Sequence, residues 1–304
     1  MVVSTGSSLD LFVRNVQVGS GCFSPLAPFI PKLPLFYENN RYILKTVDSF
    51  GELRAALRLR HDVFFAWGLG KKLDFELDVD SFDPDSDHLV VIDKQTSQVV
   101  GNYRIRCSLF HPRFYSEDEF ILNEFPGEKD QTKIEIGRAC IHPDHRTGSV
   151  IQLLWRGLLL YMRGTSARYL FGCSSISTRI PGQIEYVWNY LHEHGLMHPK
   201  FHVQPKRPFV FQKLEGEGPL DGEKDPRAEM PPLLQSYIRS GAKVLGPPAF
   251  DPEFECADFF TLLDLNELTS KRTRRYEAAF SSVVPSSTAH AYKEVYREEF
   301  YAVP

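Results

Sequence analysis

Residues 133–162, "KIEIGRACIHPDHRTGSVIQLLWRGLLLYM", place a carboxylate inside a strand-like run and an arginine and a glycine where that run turns into an apolar helix. A carboxylate near the end of such a strand, Glu135, has the chemistry to accept a proton from an attacking amine or to hold a cationic substrate. The same glutamate on an edge strand would simply face water. At the turn, Gly148 and Ser149 lead into the helix, where free backbone N–H groups and the positive end of the helix dipole favour an anion such as phosphate. Arg146 adds a formal charge and a forked donor. One glycine is equally compatible with a tight turn beside a solvated arginine.

The acidic loop "FELDVDSFDPDSD", residues 75–87, has aspartates that suit Asx turns or caps. It lacks the glycine and the closing glutamate of a calcium loop. His142 and His145 are separated by two residues in a loop with no third ligand nearby, so no metal site is expected. The cysteines (Cys22, Cys107, Cys140, Cys173, Cys256) form no CxxC pair and are expected to be reduced thiols.

The elements that must position these groups follow from periodicity and punctuation. "RYILKTV" reads as a strand and "SFGELRAALRLRHDVFFAWGL" as a helix, with Ser49 as N-cap, Glu52 completing a capping box, and Leu53, Leu57 and Phe64 as its apolar stripe. "HLVVID" and "QVVGNYRIRCSLF" read as a hairpin, "YSEDEFILNEF" as a short helix and "KIEIGRACI" as a strand. A helix over 149–163, the strand "RYLFGCSSI", a helix "QIEYVWNYLHEHGL" ended by Gly195, a short helix in "PPLLQSYIRSGAKV" and a last strand "ADFFTLLDL" complete the order. The expected fold is α/β (α+β), with a central mixed, mostly antiparallel sheet flanked by helices. The helix at 149–163 lies between strands as in a βαβ crossover. Residues 1–41 form a Pro-rich arm, 42–268 one domain and 269–304 a tail that begins with the basic run "SKRTRR".

Composition excludes some functions. With 304 residues and 42% hydrophobic content the chain can build a sizeable core, and a net charge of -4 gives no argument for nucleic acid. No signal peptide is evident, and no apolar run approaches the ~20 residues of a membrane span. A cytoplasmic protein is expected, with peripheral contact at the inner membrane face as its closest approach to lipid.

Taken together, "RHDVFF" with Arg60 and Phe64, "DVDSFD" with Asp80 and Asp83, Arg104 in "GNYRIR" and "EIGR" with Glu135 and Arg138 resemble the acyl-homoserine lactone synthases, a GNAT-like group that takes acyl chains from acyl carrier protein. "HRTGSVIQLLWRGLLLYM", "YLFGCSSI" and "MPPLLQSYIRSGAKVLGPPAFDPEFECADFFTLLDL" are similar to the ornithine N-acyltransferases of ornithine-lipid synthesis, often labelled hemolysin-like. The long-chain N-acyl amino acid synthases are similar too. The resemblance spans residues 42–266.

It implies a single GNAT-like domain that moves a (3-hydroxy) fatty acyl chain from acyl carrier protein to the α-amine of an amino acid, ornithine first. The product would be a lyso-ornithine lipid. Another acceptor, or a non-catalytic membrane-active protein, are the alternatives. Implied roles are Glu135 as base, Asp80, Asp83 and Arg104 toward the acceptor, and Arg138, Arg146, Gly148 and Ser149 toward the donor. Arg156 and Arg163, seven residues apart on one helix, are candidates for carrier docking. No resident cofactor is implied; the acyl-phosphopantetheine of the carrier is a co-substrate.

Overall fold

The computed structural model describes residues 28–122, 125, 131–177, 182–210 and 230–267. The tail at 269–304, with its basic start, the acidic insertion at 215–229 and the first part of the arm lie outside them. The strands are β1 (Phe36–Glu38), β2 (Tyr42–Thr46), β3 (Asp87–Asp93), β4 (Gln98–Cys107), β5 (Phe120–Ile121), β6 (Lys133–Ile141), β7 (Tyr169–Ser177), β8 (Gln204–Pro205), β9 (Lys243–Val244), β10 (Ala249–Asp251) and β11 (Cys256–Asp264). The α-helices are α1 (Phe50–His61), α2 (Ser149–Gly164), α3 (Gln183–Glu193) and α4 (Pro232–Ser240). The described residues form two compact units, those within 28–104 and 138–164 in one and those within 105–137 and 165–267 in the other. β4 and β6 each contribute residues to both.

In the first unit the strand order is β1-β2-β3-β4-β6, with β1/β2 and β2/β3 antiparallel. Helix α1 starts where its cap predicts: the Ser49 side chain accepts the Glu52 N–H at 3.3 Å, and the Glu52 carboxylate accepts the Asp48 N–H at 3.2 Å. Leu53 and Leu57 are buried in a core with Phe29, Val47, Leu77 and Val90. The helix then departs from expectation: Asp62–Leu69 is wound as a π-helix, which ends at Gly70 in the left-handed region (φ 69°). Periodicity at 3.6 residues cannot signal that widening; tertiary anchors such as the Leu73 N–H donated to buried His61 Nε2 at 3.2 Å accompany it.

Helix α2 packs closely because of its glycine. A Cβ on Gly157 would lie 2.6 Å from Leu89 Cδ2, and one on Gly101 of β4 2.6 Å from Val150 Cγ1. The described part of the arm is anchored: Asp87 accepts the Lys32 and Leu33 N–H groups at 2.7 and 3.0 Å and the Tyr161 hydroxyl at 2.7 Å. Its last part is not irregular, since residues 36–38 form β1 along β2.

In the second unit β6 pairs parallel with β7, β7 antiparallel with β11, and β11 antiparallel with β10 and β9. β5 and β8 form a separate antiparallel pair. An aromatic core of Phe114, Phe120, Phe125, Phe171 and Phe260 lies beside these strands, with Phe171 and Phe260 stacked at 5.4 Å. The short helix expected in "YSEDEFILNEF" is a single 3-10 turn, Tyr115–Glu117, followed by β5. Phe120 is drawn into the aromatic core, which stops the helix. Gly195 takes φ 60° after α3, as its capping role requires.

Candidate active site

Two arrangements of ionisable side chains stand out, one in each unit. In the first unit the acidic loop folds onto three arginines. Arg60, fully buried, donates from Nε to Asp78 Oδ2 at 2.8 Å and from Nη1 to Asp83 Oδ1 at 2.6 Å. Arg104 Nη1 donates to both Asp80 oxygens at 2.6 Å and to Asp83 Oδ1 at 3.1 Å. Arg138 Nη2 reaches Asp80 Oδ2 at 2.9 Å, and its Nε lies 3.3 Å from Asp78 Oδ2. The expected local turn is present as well, with the Asp80 N–H on Asp83 Oδ2 and the Phe82 N–H on Asp80 Oδ1, both 2.8 Å.

Three cations face three anions here, so the network balances its own charge. Burial would push the Asp83 carboxyl up, but Arg60 and Arg104 outweigh it and hold it well below the usual carboxylate range. Burial also opposes ionisation of Asp80; Arg104, Arg138 and Arg60 prevail over it and over the like charge of Asp83. Burial and the neighbouring arginines lower His88 to about 4, against the pull of Asp83. Within the network Asp83 is completely buried and engaged at both oxygens, whereas the Asp80 side chain keeps 22% of its surface exposed. Asp80 is therefore the aspartate of this pair that a ligand can touch. Arg138 stands at φ 51° within β6, a strained value for a non-glycine residue, and Asn102 Nδ2 holds its carbonyl at 3.0 Å.

The donor-side residues of the sequence reading also lie in this unit. Arg146 is exposed, and its Nε donates back to the Ile141 carbonyl at 3.1 Å. Gly148 has φ 94°, which a side chain would strain, so its glycine is required by the turn. Ser149, at the start of the 16-residue α2, borders an open depression of about 460 Å³ lined by Asn39, Asn40, Arg41 and Tyr42. The two loop histidines have local partners: His145 Nδ1 pairs with the Tyr42 hydroxyl at 3.2 Å, and His142 Nδ1 accepts the Asp144 N–H at 3.3 Å.

In the second unit Glu135 is buried, not water-facing. Its Oε2 accepts the Tyr115 N–H at 2.6 Å and its Oε1 the Ser116 N–H at 2.8 Å. Two adjacent backbone donors on the 3-10 turn thus fix the carboxylate.

Sequence reasoning missed a second buried acidic group in this unit. Ligand atoms of Glu119, Cys173 and Asp258 lie within 4.8 Å of one another, as do those of Asp251, Cys256 and Asp258. Burial, then Asp258 and Asp251, push Glu119 up to about 9, so its carboxyl is protonated at neutral pH. Burial likewise raises the Cys173 and Cys256 thiols. The signal was available: Asp258 interrupts the apolar run of β11 just as Glu135 interrupts β6.

Residues 59–156 match the family described as "Acetyltransferase (GNAT) domain". The chain is 33% identical over 261 residues to the L-ornithine N(alpha)-acyltransferase of Rhodobacter capsulatus, covering 80% of this chain and 97% of that protein. The enzyme of the same name from Brucella abortus is 28% identical, over 77% of this chain and 88% of its own length. Among solved structures, an N-acyl amino acid synthase from uncultured soil microbes, FeeM, covers 75% of this chain and 92% of its own at 14% identity, with a TM-score of 0.42. On the extent of the sequence matches, the chain belongs to the ornithine N-acyltransferase family and is a GNAT-type N-acyltransferase.

Proposed function

We propose that this enzyme transfers a (3-hydroxy) fatty acyl chain from acyl carrier protein to the α-amine of ornithine, giving a lyso-ornithine lipid. The observation that carries the chemistry is the buried Glu135 carboxylate fixed by two backbone N–H groups. The choice of ornithine rests on the names of the relatives. The amine nitrogen attacks the thioester carbonyl, a C–N bond forms and the C–S bond breaks. Glu135 takes a proton from the amine, and the phosphopantetheine sulfur leaves as a thiol once protonated. A general base of this kind contributes about 10²–10⁴ in rate.

On the acceptor side we assign Asp80 and Arg104, with Asp83 holding both in place from behind. On the donor side we assign Arg138 and the Arg146–Gly148–Ser149 turn, whose charge and N–H groups suit the single phosphate of phosphopantetheine. The acyl-phosphopantetheine is a co-substrate, so this reaction uses no resident cofactor. The test is Glu135→Gln, which keeps the size of the side chain. The amide leaves one of the Tyr115 and Ser116 N–H groups without its acceptor, so the melting temperature is expected to drop; turnover of the folded variant is expected to fall at least a hundredfold, and a loss below about tenfold removes Glu135 as the base.

A further inference from the structure

The register of the second unit brings two further acids onto the face of the sheet that holds Glu135. Glu135 of β6 pairs with Phe171 of β7, and Cys173 and Ser175 follow Phe171 at the alternate positions that share its face. Cys173 pairs with Phe260 and Ser175 with Asp258 of β11, so Asp258 projects from that face too. Glu119 lies over it, with Oε2 3.8 Å from Cys173 Sγ and a carboxyl oxygen within 4.8 Å of one of Asp258. Glu119 and Asp258 are buried, whereas Cys173 is half-buried and Ser175 and Ser177 are exposed. The face therefore runs from a buried base, past the two acids, to a strand end in contact with water. Asp251 is set apart, because its Oδ1 accepts the Glu253 and Phe254 N–H groups at 2.8 and 3.1 Å and so caps a turn.

The turn that fixes Glu135 adds an independent observation. Ser116 is fully buried, its N–H binds Glu135 Oε1, and its carbonyl accepts the Glu119 N–H at 3.2 Å, yet its hydroxyl has no hydrogen-bond partner. The Oγ is three bonds from the nitrogen that holds the base, on the stretch of backbone that joins Glu135 to Glu119. A buried hydroxyl without a partner is costly, and a polar ligand against this wall offsets that cost.

The spacing suits a diamino acid. Successive positions on one face of a strand are about 7 Å apart. The two nitrogens of extended ornithine, joined by five bonds of about 1.5 Å, are roughly 6 Å apart. An α-amine at Glu135 thus puts the second nitrogen at the level of Cys173, where Glu119 sits. An ammonium there meets two carboxyl groups in a dry surrounding, where charge-assisted hydrogen bonds are strong. Burial and acidic neighbours keep the Glu119 carboxyl protonated, and a cation beside it favours the ionised form.

We infer that Glu119 and Asp258 select the acceptor by binding the side-chain ammonium of a diamino acid whose α-amine lies at Glu135. The inference rests on the acyl-transfer reading above and deepens it.

The experiment compares ornithine with norleucine, which carries a methyl group in place of the far ammonium, on the full chain with 3-hydroxyacyl carrier protein as donor. Norleucine is assayed as substrate or as competitive inhibitor. Wild type, Glu119→Gln and Asp258→Asn are measured, and circular dichroism checks their folds. A hydrogen bond to a charged group is worth roughly 10- to 100-fold in affinity. Each variant is therefore expected to raise KM for ornithine at least tenfold, with kcat and the affinity for norleucine within about threefold of wild type. The inference is overturned, with the acyl-transfer reading intact, if wild type acylates ornithine and KM for ornithine is unchanged in both variants. It is equally overturned if the variants lose affinity for norleucine as much as for ornithine, as a general disturbance of the fold would give. If wild type acylates neither amino acid, the acyl-transfer reading falls and this inference with it.

Discussion

Replacing Arg60 with methionine tests whether the arginine–aspartate network is a built frame. Arg60 is fully buried, is the α1 side chain that joins Asp78 to Asp83, and contacts them at 2.8 and 2.6 Å. Arg60→Met keeps most of the side-chain volume but leaves Asp83 with Arg104 and Asp78 with Arg138. Removing one partner of a buried pair costs about 3–5 kcal/mol, because the remaining charge stays buried without its main counter-ion. With a urea dependence of roughly 2 kcal/mol per molar, the midpoint of unfolding should drop by about 2 M. A double-mutant cycle with Asp83→Asn should show strong coupling, since neutralising Asp83 removes much of the penalty. Equilibrium urea unfolding followed by circular dichroism makes the measurement. A loss under about 1 kcal/mol, or additive single changes, would refute the view that Arg60 and Asp83 form one unit.

Four other outcomes follow from the structure. Gly172→Ala should destabilise the chain by several kcal/mol, because the new Cβ would lie 2.1 Å from the Ile136 carbonyl oxygen and force β6 and β7 apart; thermal unfolding checks it. Glu119→Gln should flatten the pH dependence of stability. With a folded pKa raised to about 9 from an ordinary 4.5, the wild type loses up to about 1.4 kcal/mol per pH unit as pH rises between those values, and unfolding from pH 5 to 9 would show the difference. At the acid end the sign reverses: lowered His88 and Asp83 make the fold lose stability as pH falls from 6.5 toward 4 and then below 3.8, so acid titration of the wild type should begin unfolding in that window. Arg146→Ala, at an exposed side chain, should raise the Michaelis constant for acyl carrier protein while leaving that for the amino acid unchanged.

Much of the fold was legible because its signals are local. The Ser49/Glu52 cap, the β-branched runs of β3 and β4, the apolar stripe of α2 and the Gly195 stop all depend on neighbours within a turn or a strand. What was not legible depends on distant partners. The π-helix at 62–69 and the strand-like end of the arm form because tertiary contacts decide them, and the expected helix at 115 yields where Phe120 joins an aromatic core. The site shows the same division. Glu135 could be singled out because a carboxylate in an apolar strand is costly without partners. Its partners, the Tyr115 and Ser116 N–H groups, lie 20 and 19 residues away in sequence and could not be read. The Asp80 and Asp83 pair was legible, as was its local turn, but not the saturation of Asp83 by Arg60 and Arg104. Asp258 carried the same signal as Glu135 and was passed over, since nothing adjacent in sequence suggested chemistry.

The central claim is amide formation on an amino acid, and product analysis tests it most directly. The purified full chain is incubated with 3-hydroxyacyl carrier protein and an equimolar mixture of amino acids that includes ornithine, and the products are resolved by mass spectrometry with fragmentation. The account predicts one dominant product, ornithine acylated at its α-nitrogen, formed with stoichiometric release of carrier thiol and lost with Glu135→Gln. Thiol release without any N-acyl amino acid, or acylation at oxygen or at the side-chain amine instead, would contradict it.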